Sequence, residues 1–263
     1  VEPTNTDSPL LTFGLRGHVW DVDGNEYIDL DLGVSPLLFG HANAEINEAI
    51  SLALHAGVSL PRTGYNRVPS SERIAARFPI AERSLFYGSM KETRDVVAQS
   101  LPQISGRDKV AVLGPTPWCQ QWQSGSTNVS LTDNGRNIEA FIASLKSDGN
   151  EFSHCIISPF ADFDIPESCH SLLSEVLSDK GIALVVDETE TALHCGPGGG
   201  AKMLGLNADL VMFGPNLANG LGFACLGGAE HLINDIDGRF SNEKSLRRNS
   251  ELVFPGEQLV FAA

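Results

Sequence analysis

The feature that most constrains this chain is the apolar run Ile182-Ala183-Leu184-Val185-Val186, unbroken by polar residues and closed by Asp187 and Glu188. A strand in which successive residues are all apolar must be buried on both faces, the condition of a central strand in a sheet covered by helices on each side. Residues 110–113, Cys155-Ile156-Ile157 and Leu210-Val211-Met212-Phe213 repeat the pattern. Between them, residues 138–145 and 172–177 carry apolar positions at helical spacing. The second of these ends near Lys180-Gly181, with the glycine supplying a left-handed cap. Strands and helices in this alternation predict an α/β fold with a mostly parallel sheet flanked by helices. Ala224-Cys225-Leu226 adds a strand and residues 229–233 a short helix, whereas residues 238–263 show no sustained periodicity.

The N-terminal part has a different character. Residues 1–9 form a polar arm. The stretch from Leu11 to Leu30 then contains a turn at Arg16-Gly17 and a second at Asp23-Gly24-Asn25, between extended runs, which predicts a β-hairpin. Asp21, Asp23 and Asn25 have the look of a calcium loop, but no glutamate stands at its twelfth position and the flanks are strand-like. Ile46, Ala49, Ile50, Ala53 and Leu54 make a one-sided helical stripe. A further helix is expected over residues 71–78, ended by Pro79. Ser89-Met90-Lys91-Glu92 matches a capping box ahead of Val96, Val97 and Leu101. The chain is accordingly divided into an arm, hairpin and helix (1–57), a large domain (58–237) and a short C-terminal tail (238–263).

Composition narrows the partners. A formal net charge of -15 repels nucleic acid and anionic lipid. Trp118 and Trp122 lie among Gln and Ser rather than the Lys and Arg of a stacking groove. The five cysteines, Cys119, Cys155, Cys169, Cys195 and Cys225, form neither a CxxC pair nor a zinc-ligand spacing. Buried reduced thiols are the simplest reading, and they favour a reducing compartment. The longest apolar stretches are too short to cross a bilayer, so no membrane association is expected and the cytoplasm is the default location.

Parallel sheets bind ligands beyond the carboxyl ends of their strands. Asp187 stands at such an end. A buried carboxylate needs a partner, and a ring nitrogen that becomes positively charged would be one, alongside a helix cap or a metal. Ser89 begins a helix whose backbone N–H groups favour an anion, and Lys91 could add charge, although Ser89 and Glu92 can satisfy the same donors internally. Gly196-Pro197-Gly198-Gly199-Gly200 lacks a nucleotide fingerprint and reads as a flexible loop. The glycine-containing stretch from Gly214 to Gly220 follows another strand. His41, and the adjacent His194 and Cys195, carry no recognisable catalytic constellation.

Together these segments resemble the class-III pyridoxal-phosphate aminotransferases, most closely the branch of glutamate-1-semialdehyde 2,1-aminomutase. The likeness runs from Phe13 to Ile233. It is strongest over Val19-Trp20-Asp21-Val22-Asp23-Gly24-Asn25-Glu26-Tyr27-Ile28-Asp29-Leu30 and Phe39-Gly40-His41-Ala42-Asn43-Ala44-Glu45-Ile46. It continues through Gly106-Arg107-Asp108-Lys109-Val110, Val185-Val186-Asp187-Glu188 and Ala208-Asp209-Leu210. The resemblance implies a fold-type-I large domain, with the family's C-terminal small domain reduced or missing here. It also implies a homodimer, or a hetero-oligomer with a related subunit.

Carried over residue by residue, the resemblance makes Asp187 the partner of the pyridine nitrogen and Glu188 its acidic neighbour. Ser89 opens the segment that in the family reads Ser-Gly-Thr-Glu-Ala and holds the phosphate. Here the glycine is Met90 and the next hydroxyl residue is Lys91. Trp118 is the one aromatic residue placed to stack on the ring. The lysine that forms the Schiff base would follow Gly214, and this chain has Pro215 there, then Asn216 and Leu217. Proline within a chain has no amine, and Lys202 is the nearest lysine before it. The expectation is therefore a protein that is not an active transaminase, has no catalytic residue at Pro215, and binds pyridoxal or pyridoxamine phosphate weakly or not at all. Asp187, Ser89, Met90, Lys91, Trp118 and Glu188 are the candidate contacts.

Overall fold

A computed structural model describes residues 9–32, 37–57, 66–113, 122, 128–130, 138–159 and 166–242. Two sheets organise them. The smaller is antiparallel in the order β1 (Leu11–Leu15), β2 (His18–Asp21), β3 (Glu26–Ile28). Its second turn is held by Asp21, whose carboxylate accepts from the backbone of Asp23 (2.9 Å) and Asn25 (2.8 Å) and from the Asn25 amide and Tyr27 hydroxyl. Those donors draw the Asp21 carboxyl down to about 2, the Asn25 hydrogen bond contributing most. The aspartates thus cap their own turn, and among the described residues no cluster of ligating side chains could hold a metal.

Helix α1 (Ala44–Ala56) follows, started by Asn43, whose side chain accepts from the N–H groups of Glu45 and Ile46. Helix α2 (Arg67–Arg77) begins earlier than expected. Pro69 lies in its first turn, where the missing N–H is no loss, so proline there marks a start and not a break. Pro79, as expected, lies just beyond its end.

The larger sheet has seven strands in the order β4-β10-β9-β8-β7-β5-β6. These are β4 (Arg83–Tyr87), β5 (Lys109–Leu113), β6 (Asn128–Ser130), β7 (Phe152–Ile157), β8 (Ala183–Asp187), β9 (Leu210–Phe213) and β10 (Ala224–Gly228). Pairs among β6, β5, β7, β8 and β9 are parallel, while β10 runs antiparallel to both β9 and β4. Sequence reading missed β4 and β6. The first is short and only half apolar, and the second has three residues.

Helices cover both faces. The remaining ones are α3 (Met90–Ser105), α4 (Ile138–Asp148), α5 (Glu167–Lys180), α6 (Gly199–Met203) and α7 (Glu230–Asn242). Alternate strand residues divide the core as the period of two requires. Ala111, Leu113, Leu184, Val186, Val211 and Phe213 join α4 and α5 on one face. Val110, Val112, Val185, Leu210 and Met212 join α3 and α7 on the other. Arg107 ties the N-terminal ends of the strands together, its Nη1 donating to the carbonyls of Phe152 (3.1 Å) and Lys180 (2.8 Å). Helix α7 extends to Asn242, nine residues past the expected helix end at 233 and beyond the division placed at 237. The Gly196–Gly200 stretch is not simply a loop, since it turns into α6. No helix among the described residues is long and apolar enough to cross a membrane.

One buried histidine lies in this core. His154 on β7 is fully buried, and Ser153 Oγ, 2.7 Å from its Nδ1, already donates to the carbonyl of Lys109. The ring therefore donates from Nδ1, leaving Nε2 a bare acceptor with no partner among the described residues. Burial pushes its pKa down to about 3. Because the folded value lies below the ordinary value near 6.5, the unfolded chain binds the extra proton first. Its contribution to stability is complete above about pH 6.5 and is lost as pH falls toward 3, by up to about 1.4 kcal/mol per pH unit. Urea unfolding of the wild type and of His154→Val between pH 7 and 4 should show a shallower acid loss in the variant.

Candidate functional site

The carboxyl ends of β8 and β9 and the start of α3 come together around one side chain, Thr189. Asp187 ends β8 and is 2% exposed. Its Oδ1 accepts from the Thr189 backbone N–H at 3.0 Å and also from the Thr189 hydroxyl. The same hydroxyl lies 3.7 Å from Met90 Sδ, at the first position of α3. The Thr189 methyl lies against Gly214, where an added Cβ would come within 2.5 Å of it. Strand pairing sets this geometry, since Asp187 is directly opposite Met212, two residues before Gly214. Sequence reading missed Thr189. Its signal was a hydroxyl two residues after a strand-end aspartate, a spacing that lets the side chain close a local turn.

Ser89 caps α3 as the capping box predicts. Its hydroxyl accepts from the Glu92 N–H at 3.3 Å, and the Glu92 carboxylate accepts from the Gly88 N–H at 3.0 Å. Two of the donors that would meet an anion are satisfied within the chain. Lys91 turns to Asp95, 2.6 Å away one helical turn on, and is largely exposed. It is not aimed at Ser89.

Glu188 is 1% exposed and serves the start of α6. Its carboxylate accepts from the N–H groups of Gly200 (2.9 Å) and Ala201 (2.6 Å) and from the Thr191 hydroxyl. All three bonds come from the chain itself, so the glutamate acts as a helix cap. Trp118 lies outside the described residues.

Pro215 opens a 3-10 turn over Pro215–Ala218, a position suited to a residue with fixed φ and no N–H to donate. The turn is clamped by the N-terminal region. Asn219 accepts from the Phe39 N–H at 3.3 Å, and His41, paired with Asp29 at 2.6 Å, exchanges backbone hydrogen bonds with Arg16. Beside Pro215, Asn216 is 2% exposed, and neither its Nδ2 nor its Oδ1 has a hydrogen-bond partner among the described residues. An orphaned buried amide costs about 1–3 kcal/mol per group.

Arg94 also belongs here, and sequence reading passed over it. It sits one turn beyond Met90, between the buried Thr93 and Val97. Burial draws its pKa down, and the negative charge of Asp187, next in importance, draws it back up. His194 and Cys195 lie apart from this cluster in the turns before α6. Cys155, Cys169 and Cys225 are buried free thiols and Cys195 is a half-buried one, while Cys119 lies outside the described residues.

These residues do not fit a covalently held pyridoxal phosphate. The Asp187 carboxylate stands at the strand end, but the position after Gly214 has no amine, the Ser89 hydroxyl is engaged in its own cap, and Met90 Sδ lies 3.7 Å from the Thr189 hydroxyl.

No protein-family model matches the sequence. The 2'-deamino-2'-hydroxyneamine transaminase of Streptomyces kanamyceticus is 26% identical over 238 residues, covering 86% of this chain and 60% of that protein. The glutamate-1-semialdehyde 2,1-aminomutase of Persephonella marina is 26% identical over 85% of this chain and 58% of its own length. Among solved structures, a lysine-to-alanine variant of the Pseudomonas aeruginosa glutamate-1-semialdehyde aminomutase, in complex with PMP, superposes with a TM-score of 0.79 at 22% identity. It matches 97% of this chain and 62% of that one. The β-phenylalanine aminotransferase of Variovorax paradoxus gives a TM-score of 0.80 at 22% identity, over 100% of this chain and 62% of that one. The chain thus spans about 60% of the length of the proteins it matches.

Proposed function

We propose that this chain, a relative of the class-III pyridoxal-phosphate aminotransferases and aminomutases in sequence and fold, is a catalytically degenerate one with a binding, regulatory or structural role. The observation that carries this reading is Pro215 in the place of the lysine. Transamination and aminomutation need a primary amine there to release product and to move a proton at the substrate carbon, and proline can do neither. Asn216 and Leu217, the next two residues, offer no amine under a shift of register. The buried orphan amide of Asn216 supports a binding role, because its two polar atoms remain for a ligand or a partner.

Incubating the purified protein with pyridoxal phosphate and an amine donor should give neither an internal-aldimine absorbance nor amine transfer. Turnover at a rate typical of enzymes would sink the proposal.

A second reading has one observation of its own. The aminomutase variant that superposes on this chain lacks a lysine and is nonetheless in complex with PMP. On that reading the chain is an enzyme acting on non-covalently held pyridoxamine phosphate, with Asp187 on the ring nitrogen. Asp187→Asn would then weaken pyridoxamine phosphate binding at least tenfold. The absence of wild-type binding well above micromolar concentrations would end it.

Assembly as a homodimer, or with a related subunit, is part of the same proposal. None of the residues of α1 is buried, and Leu52 and Leu54 are 67% and 50% exposed. A helix with an apolar stripe and no buried residue needs a partner surface. The cytoplasm remains our proposed location.

A further inference from the structure

Three landmarks bound the place a ring would take: the start of α3 at Ser89, the Asp187 carboxylate and the loop position after Gly214. Side chains of this protein connect all three. The Thr189 hydroxyl bonds Asp187 and meets Met90 Sδ at 3.7 Å, and its methyl leaves no room for a Cβ on Gly214. A glycine in place of Met90 would remove every side-chain atom from one of these contacts. Arg94 lies one helical turn along α3 from Met90, on the side of Thr93 and Val97, which are 0% exposed. The negative charge of Asp187 acts on Arg94, so the guanidinium offers that carboxylate a positive charge from α3.

We propose that Met90 and Arg94 exclude a pyridine ring from this site, Met90 by filling the space beside Thr189 and Arg94 by supplying the positive charge that Asp187 would otherwise find in a ring nitrogen. A protonated ring entering here must displace a thioether packed against the second core cluster. It must also approach Asp187 against a like charge, which disfavours the protonated form of the ring. The two residues thus act as specificity determinants turned against the ligand. This inference rests on the reading of the chain as catalytically degenerate, and it names the residues that close the site.

The test is calorimetric titration of the full chain with pyridoxamine phosphate. The double variant M90G/R94Q should bind at least tenfold more tightly than the wild type. Adding D187N to it should cancel the gain. M90G/R94K, which keeps the charge, should bind more weakly than M90G/R94Q, an ordering that simple loosening of the helix would not produce. Circular dichroism checks folding, and M90A/R94M carries the same comparison if M90G/R94Q does not fold. Wild-type affinity equal to that of the folded double variant overturns the inference, as does equal affinity of the Gln and Lys forms. Amine transfer by the wild type would instead overturn the functional proposal, and tight binding without turnover would overturn only this one.

Discussion

Replacing Glu188 with alanine is expected to cost about 3–5 kcal/mol of stability, the usual penalty for removing one member of a buried, charge-assisted network. The carboxylate holds the Gly200 and Ala201 N–H groups and the Thr191 hydroxyl, and none of these could reach water, since Gly200, Ala201 and Thr191 are all buried. Alanine would leave all three donors unpaired. Gly199 adds a second constraint. Its φ is +68°, and a Cβ there would lie 2.6 Å from Glu188 Oε2, so the loop and the carboxylate are fitted to each other. Glu188→Gln keeps one acceptor oxygen but turns the other into a donor facing donors, and should cost about 1–3 kcal/mol. Thermal unfolding measures both. In a chain of this size each kcal/mol moves the melting temperature by about 2–4 °C. A loss under about 1 kcal/mol for the alanine variant would mean that water reaches the start of α6, and that Glu188 is available for another role.

That expectation separates two kinds of information in Asp187-Glu188. The resemblance treats both acids as parts of a cofactor site. The structure divides them: Asp187 meets Thr189 at the end of its strand, while Glu188 turns away to cap a helix that begins eleven residues later. Sequence spacing could not reveal this, because the start of α6 is brought to Glu188 by the intervening turns. The signal was present in the triplet Gly198-Gly199-Gly200, since a chain bends so closely around a side chain only where no Cβ intervenes. The lack of a nucleotide fingerprint favours a flexible loop, and the close approach of Gly199 to Glu188 at the start of α6 corrects that reading.

The sheet was much more legible. Runs such as Leu184-Val185-Val186 and Leu210-Val211-Met212-Phe213 are long enough, and apolar enough on alternate sides, to admit only a central position. Strand β4 was not legible because half its residues are polar or charged, and its place at the sheet edge demands no more. Within the candidate site, the lack of an amine at Pro215, Asn216 and Leu217 was legible from sequence alone, because it does not depend on geometry. Met90 and Lys91 were legible only as departures from a pattern. Where their side chains went, one across to Thr189 and the other outward to Asp95, depends on helix phase and on strand neighbours that no local motif records.

Phe213→Ala should be as destabilising as the loss of Glu188, for an unrelated reason, at about 3–5 kcal/mol. Phe213 ends β9 and is 0% exposed, and its ring centroid lies 4.6 Å from that of Phe78, which is 2% exposed at the end of α2. Truncation leaves a cavity bounded by a strand on one side and by the α2 terminus on the other. Neither collapses easily, since Phe213 is paired to Cys225 across β10 and the Phe78 N–H is bonded to Ile74 at 2.8 Å. A double-mutant cycle with Phe78→Ala should show a coupling of about 0.5–1.5 kcal/mol, the part that belongs to the ring pair and not to burial. Val68→Ala, at a position 61% exposed on the same helix, should change stability by less than about 0.5 kcal/mol. If Phe213→Ala matched that control, the joint between α2 and β9 would be soft, and Gly214 and Pro215, which follow directly, would not be held as described. A large loss with clear coupling instead means that the turn at Gly214 and Pro215 is fixed from below by an aromatic pair, so that a lysine introduced at 215 would stand on a rigid base.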